Sequence, residues 1–397
     1  VKICVCGLWH LGTVIAACLA SAGHDVTGFD ENVDGLLRGE PPLQEPGLAE
    51  LISAVQFTTD REALRPAEMV WIAWDTPVDD DDRADVDAVL ARAVSLFDFI
   101  SAGALVVVSS QLPVGSVRRL EEACSHRFRF ACAPENLRLG SAIESFMKAS
   151  RMVVGVRDEV ARTVMSDVLA PFGVPIEWMS VESAEMTKHA LNAFLATSIA
   201  FINEIAGVCE EAGADARDVA RALKSDPRIG PRAYLSPGAP FSGGTLARDV
   251  GFLAPHAPLL AAVKASNDRH KNWARAKLLE VLGTLRGKTV ALWGLTYKPG
   301  TDTLRRSGAV ELARWLAAEG ARVQAHDPAM SRIPGDVPVA LCASAAEALL
   351  GADALVVATE WPDYRAAAIP AGTIVIDANN FVGGREGLRH YCVGRAS

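Results

Sequence analysis

The chain has 397 residues, half of them hydrophobic and 22% charged, with a formal net charge of −9. A prior of about 150 residues per domain predicts two or three packed domains, which excludes a disordered chain, and the acidic balance argues against nucleic acid or an anionic membrane as partner. No run approaches the roughly 20 apolar residues that cross a bilayer, and the opening VKICVCGL is broken by glycine too early for a signal peptide, so the expected location is the cytoplasm.

Residues 1 to 30 predict strand, helix, strand: VKICVCG, then HLGTVIAACLASAG with apolar residues at helical spacing, then HDVTGFD. Further strand-like runs follow in EMVWIAWDTP, ALVVVSSQLP and FRFACAPE, separated by amphipathic stretches such as DVDAVLARAVSLFDFISAG. This alternation predicts a doubly wound parallel sheet, whose ligands sit at the carboxyl ends of the strands. From Val181 to Ala212 the pattern is wholly helical, without proline and closed by Gly213. GKTVALWGLTYKPGTD then restarts the strand-then-glycine pattern and leads to ARVQAHDP, ALVVAT and TIVIDANN. The expected fold class is therefore α/β: two Rossmann-like doubly wound parallel-sheet domains, 1–180 and 281–397, joined by a long central helix in a helical region, 181–280.

A dinucleotide fingerprint needs glycine for the turn, for pyrophosphate approach and for helix packing, then an acid for the ribose hydroxyls. In GLWHLG, Gly7 and Gly12 fit and Asp30 closes the second strand, but Trp9 stands where the backbone meets the pyrophosphate. An indole there tilts the cofactor, stacks on it or fills the site. On the long helix, Lys188 and Asn192 lie four residues apart and share a face. Lys188 is either a snorkelling stem or a partly buried ammonium with a chemical purpose, and Asp249 is a candidate partner for taking up an alcohol proton. Six of the eight cysteines (Cys4, Cys6, Cys18, Cys132, Cys209, Cys342) sit in apolar runs expected to be buried, and neither a disulfide framework nor a metal site is predicted.

Together these segments resemble the UDP-glucose/GDP-mannose dehydrogenase family along the whole chain. The resemblance is carried by EPGL (45–48), DTPVDDDDRADVD (75–87), LPVGS (112–116), APENLRLGSAI (133–143), AEMTKHALNAFLATSIAFINEIA (184–206), DPRIGP (226–231), GLTYKPGTDTLRRS (294–307) and ATEWPDYR (358–365). It implies oxidation of a nucleotide-sugar primary alcohol to a carboxylate in two NAD-dependent steps through a thioester on a cysteine. It also implies a homodimer built through the central helical region. The matching cofactor positions are Gly7, Trp9, His10, Leu11, Gly12, Asp30, Asp75, Thr76, Pro77, Gln111 and Arg305. The matching nucleotide-sugar positions are Leu137, Arg138, Arg228, Tyr234, Phe241, Gly243 and Lys298, and the catalytic ones are Lys188, Asn192, Asp249, Glu135 and Thr245.

The departures carry the functional expectation. Thr245, in PFSGGTLARDV, occupies the place of the thioester-forming cysteine. A thiol ionises near pH 8.5, whereas a threonine hydroxyl needs a strong adjacent base, so the covalent half of a four-electron oxidation is expected to fail. Gln111 replaces a threonine, Leu139 a second glutamate, Arg248 a lysine, Asn379 an arginine, and Asp75 a small residue beside the dinucleotide. The expectation is a nucleotide-sugar oxidoreductase limited to one two-electron step on a sugar nucleotide or related polyol, with NAD as cofactor. The competing expectation is a non-redox descendant with a degraded NAD site. The Ala- and Arg-rich, Lys-poor composition points to a GC-rich bacterial genome.

Overall fold

A computed structural model describes all residues except 44, 80–83, 135–136, 242–243 and 396–397. The chain forms two compact units, Val1–Leu191 and Asn192–Ser397.

The first unit holds an eight-stranded sheet: β1 (Lys2–Cys6), β2 (Asp25–Phe29), β3 (Gln56–Thr58), β4 (Met69–Ile72), β5 (Leu105–Val108), β6 (Arg129–Cys132), β7 (Met152–Val156) and β8 (Ile176–Met179), in the order β3-β2-β1-β4-β5-β6-β7-β8. All pairs are parallel except β6 with β7. The reversal of strand order between β1 and β4 opens a crevice at their carboxyl ends, where such sheets bind ligands. Strands β1, β4 and β5 are buried on both faces, which is why KICVC, MVWI and LVVV read as continuous apolar runs without alternation. Helix α1 (His10–Ser21) buries every residue from Gly12 to Leu19. Helices α2 (Val86–Val94), α3 (Ser116–Ala123) and α4 (Ala142–Met147) follow β4, β5 and β6.

Helix α5 runs from Val181 to Ala212, as the sequence predicts, and ends where Gly213 takes φ +73°. Among the described residues it alone is long and apolar enough to cross a membrane. Its buried polar groups are instead satisfied by protein. Glu185 accepts the Gly115 and Val117 N–H groups at the start of α3 (2.7 and 3.0 Å), and the His189 ring meets Leu112 O at 2.8 Å.

In the second unit, α6 (Ala216–Ser225), α7 (Gly244–Leu253), α8 (Pro258–His270) and α9 (Trp273–Leu282) precede a six-stranded sheet. Its strands are β9 (Thr289–Trp293), β10 (Arg322–His326), β11 (Ala340–Leu341), β12 (Ala354–Val357), β13 (Ile374–Ile376) and β14 (Arg389–Tyr391), all parallel in the order β11-β10-β9-β12-β13-β14. Both sheets thus share the doubly wound strand order anticipated from their echoing sequences. The residues after β14 return to the helices: Gly394 N–H donates to Glu210 Oε1 (2.8 Å), and Ala216 N–H donates to Gly394 O (2.8 Å). A side chain at 394 would meet Ala216 Cβ at 2.4 Å.

None of the eight cysteines is in a disulfide. Cys342, expected to be buried, is only half-covered because β11 is a two-residue edge strand, whereas Cys124 and Cys392 are buried.

Candidate functional site

The β1–α1 turn is built for close backbone approach. Gly7 has φ +95°, and a Cβ on it would lie 2.6 Å from the Trp74 backbone; a Cβ on Gly12 would lie 1.7 Å from Gly7 O. Neither position tolerates a side chain. Trp9 caps α1 in an extended conformation open to any residue (φ −75°, ψ −157°), and it is 45% exposed. The indole is therefore not packed into the turn, and a glycine there is not required by the backbone. Leu11 is half-buried behind it.

Asp30 is held facing this turn: Oδ2 accepts the Leu8 N–H at 2.6 Å and Oδ1 the Glu31 N–H at 2.7 Å. Arg92 of α2 lies 3.5 Å from Asp30 and 3.4 Å from Glu31, with its guanidinium 5.0 Å above the Trp74 ring. These groups suit a dinucleotide: a side-chain-free turn, a helix N-terminus and a fixed acid at the end of β2. Asp75 and Pro77 are exposed beyond β4, and the buried Thr76 donates to Gln111 O at 2.6 Å, tying the ends of β4 and β5 together.

Glu45, in EPGL, has a role that the sequence does not disclose. Its buried carboxylate accepts the Gly140 and Ala142 N–H groups (2.8 and 2.7 Å) and meets His10 Nε2 at 3.0 Å. It thereby fastens the 137–141 loop to the start of α1. Leu137 in that loop packs on the core and Arg138 is exposed, while Glu135 lies outside the described residues. Lys188 is half-buried on α5, flanked in sequence by the two residues, Glu185 and His189, that anchor this stretch.

In the second unit, Asn192 donates its amide to Asp249, and both are buried, Asp249 completely. The sequence offers Lys188 as a candidate partner of Asp249 and gives no sign of this bond to Asn192. Thr245 is exposed in the first turn of α7, one turn ahead of Asp249 on the same face. Gly243 lies outside the described residues.

The loop entering α7 is pinned by side chains of which the sequence singles out only Asn379, and for a different reason. Gly238 N–H donates to Asn203 Oδ1 (3.0 Å), the His270 ring meets Gly238 O (2.7 Å), and Asn379 Oδ1 accepts the Ala239 N–H (2.7 Å). Asn267 grips both the N–H and the carbonyl of Phe241 at 2.9 and 3.0 Å. The Phe241 side chain, expected to face substrate, is buried among Ala193, Ala200 and Val263 because the loop must anchor itself to the helices. Burial lowers the His270 pKa, so the ring is neutral and donates to Gly238 O.

At the head of the second sheet, Gly294 (φ +94°) repeats the geometry of Gly7, and Asp327 repeats that of Asp30. The Asp327 carboxylate is however fully used: Oδ2 accepts from Leu295 N–H, Thr296 N–H and hydroxyl, and Trp361 Nε1. Lys298 beside it is half-buried and Arg305 exposed. Tyr234 is exposed, and Arg228 is held in a two-pronged pair with Asp226 (3.0 and 2.7 Å) on an open loop.

Three family models match this chain in order: residues 1–173 as the NAD binding domain, 182–269 as the central domain and 291–384 as the UDP binding domain of the UDP-glucose/GDP-mannose dehydrogenases. The chain belongs to that family. Among curated relatives, a UDP-glucose 6-dehydrogenase of Pseudomonas aeruginosa is 38% identical, covering 92% of this chain and 88% of the relative. One of Bacillus subtilis (YwqF) is 33% identical over 99% of this chain and 98% of its own. Among solved structures, a UDP-glucose dehydrogenase from the archaeon Pyrobaculum islandicum superposes with a TM-score of 0.91 at 33% identity, covering 100% of this chain and 98% of that one. The cofactor of the first domain is NAD, and Gly7, Gly12 and Asp30 are the residues fitted to hold it.

Proposed function

We propose that this protein is an NAD-dependent oxidoreductase of a UDP-linked sugar that carries out a single two-electron step at the primary alcohol. The observation that carries this reading is the pairing of a buried proton-handling set with a hydroxyl where a nucleophile is needed. Asn192 and Asp249 form a buried hydrogen-bonded pair, while the residue one turn away is Thr245. Lys188 and Asp249 take up the alcohol proton, directly or through water, and Asn192 orients the reacting oxygen. NAD, when bound, supplies the hydride acceptor. Without a thiol, the aldehyde has no covalent path to the acid.

The relatives named UDP-glucose 6-dehydrogenase make UDP-glucose the first substrate to try. The expected result is one NADH per sugar consumed and an aldehyde-level product. Two NADH per sugar with a uronic acid would refute the two-electron limit, and no saturable heat with NAD would favour the non-redox reading motivated by Asp75 and Trp9.

We further infer a cytoplasmic bacterial homodimer joined through α5. Phe194, Phe201 and Val208 are 68%, 47% and 60% exposed and recur every seven residues, forming one apolar stripe. Eight cysteines without a disulfide suit a reducing compartment.

A further inference from the structure

The carboxyl end of β2 sets two carboxylates side by side, Asp30 and Glu31, and α2 brings a guanidinium across to both. Arg92 Nη2 lies 3.5 Å from Asp30 Oδ1 and 3.4 Å from Glu31 Oε2. Its guanidinium stands 5.0 Å from the centre of the Trp74 ring, close enough for cation–π attraction. Trp74 is buried and abuts the glycine turn, since a Cβ on Gly7 would lie 2.6 Å from Trp74 Cδ1. Arg92 is thereby held at the corner where β2 meets the dinucleotide turn.

Helix electrostatics and fold stability do not account for this arrangement. A basic residue in the last turn of α2 complements the helix dipole, but that requires no reach to the end of β2. Both contacts are longer than the roughly 2.7–2.9 Å of a well-formed bond between a guanidinium and a carboxylate. With side chains 39% and 66% exposed, the pair of Arg92 with Glu31 contributes little to stability. What this corner faces is the cofactor. In a sheet of this kind the acid closing β2 takes the adenosine ribose hydroxyls, whereas an arginine beside it takes the 2′-phosphate of NADP. Both kinds of group are present here, so the balance of charge decides. Two carboxylates meet one guanidinium, and a phosphomonoester would add a charge of about −1.5 to −2 at pH 7. Asp30 is tied to the Leu8 and Glu31 N–H groups and cannot turn away, which leaves the exposed Glu31 as the carboxylate whose loss would release Arg92.

We propose that Glu31 is a specificity-determining residue of the cofactor site. With Asp30 it occupies Arg92, denies that guanidinium to a 2′-phosphate and so excludes NADP. Once the charge of Glu31 is removed, Arg92 still stands on Trp74 and can fork onto a phosphate. This depends on the NAD binding domain and not on whether oxidation of the sugar stops after one step.

The test is calorimetric titration of the full chain with NAD and with NADP, in the absence of any sugar nucleotide. The parent is expected to bind NAD at least about a hundredfold more tightly than NADP. Glu31→Gln should lower that ratio at least about tenfold through a gain in NADP affinity, with NAD held within about threefold. Adding Arg92→Ala to Glu31→Gln should return NADP to within about twofold of the parent, whereas adding Arg92→Lys should keep part of the gain. The NADP gain should also fade as salt rises. An unchanged ratio in Glu31→Gln would overturn the proposal, as would a gain that survives Arg92→Ala, which would reduce Glu31 to a repelling charge. A parent that binds NADP as tightly as NAD, or that binds neither, would overturn it too. So would a loss of NAD binding in Glu31→Gln, which would make Glu31 a holder of NAD and not a gate.

Discussion

Thr245 concentrates the residue-scale question, because its hydroxyl sits in the first turn of a helix whose next turn carries the buried Asp249. A bystander hydroxyl is worth about 1 kcal/mol, or several-fold in rate. Thr245→Ala is therefore expected to keep turnover with the active sugar nucleotide within that range, read from initial NADH rates. Thr245→Cys should form no uronic acid by mass spectrometry, because on the proposed reading Gln111 and Leu139 have also lost groups that handle the covalent intermediate, and residues that act as a unit do not recover singly. A thousandfold loss in Thr245→Ala would instead put the hydroxyl in the chemistry. At this scale, the sequence discloses residues whose need is local. Gly7 and Gly12 are legible because the turn forbids a Cβ, and Asp30 because its distance along a β-α-β unit is fixed. Glu45, Asn203, Arg92 and His270 are not, since each acts on backbone or charge tens of residues away.

Among the elements, the loop entering α7 is held by side chains of α5 and α8 and by Asn379, and this makes it sensitive to pH. Burial depresses the His270 pKa below the unfolded value of about 6.5. The unfolded chain thus binds the proton first, so the stability contributed by the neutral ring is fully present above pH 6.5 and is lost as pH falls through the depressed folded pKa. Urea midpoints should fall as pH drops below about 6.5, and His270→Gln should flatten that fall. A parent whose midpoint is constant across this window would contradict the assignment. Most elements are legible in the sequence: α5 ends at the predicted residues, and the fully buried strands read as apolar runs. Strands β7 and β8 are not singled out by pattern, because β8 is largely half-buried and β7 joins the sheet by an antiparallel pairing that no βαβ alternation foretells.

At the scale of the whole molecule, the apolar stripe on α5 calls for a partner surface. Phe194→Glu with Phe201→Glu places two charges on it and should shift the chain from dimer to monomer mass by light scattering at micromolar concentration. A parent that is already monomeric at high concentration would remove the homodimer reading. The bond from Gly394 to Glu210 bears on a different matter, the order in which the molecule is made. It closes a loop of 184 residues, so the helices α5 and α6 wait for their last fastening until the final strand has left the ribosome. At a synthesis rate of about 5–20 residues per second that delay is on the order of 10–40 s. Through that interval the apolar stripe of α5 is already made while Gly394, the last of the groups that meet Glu210 after Trp273 and Lys277, is not, and early association of two nascent chains along it would compete with completion of each chain's own fold.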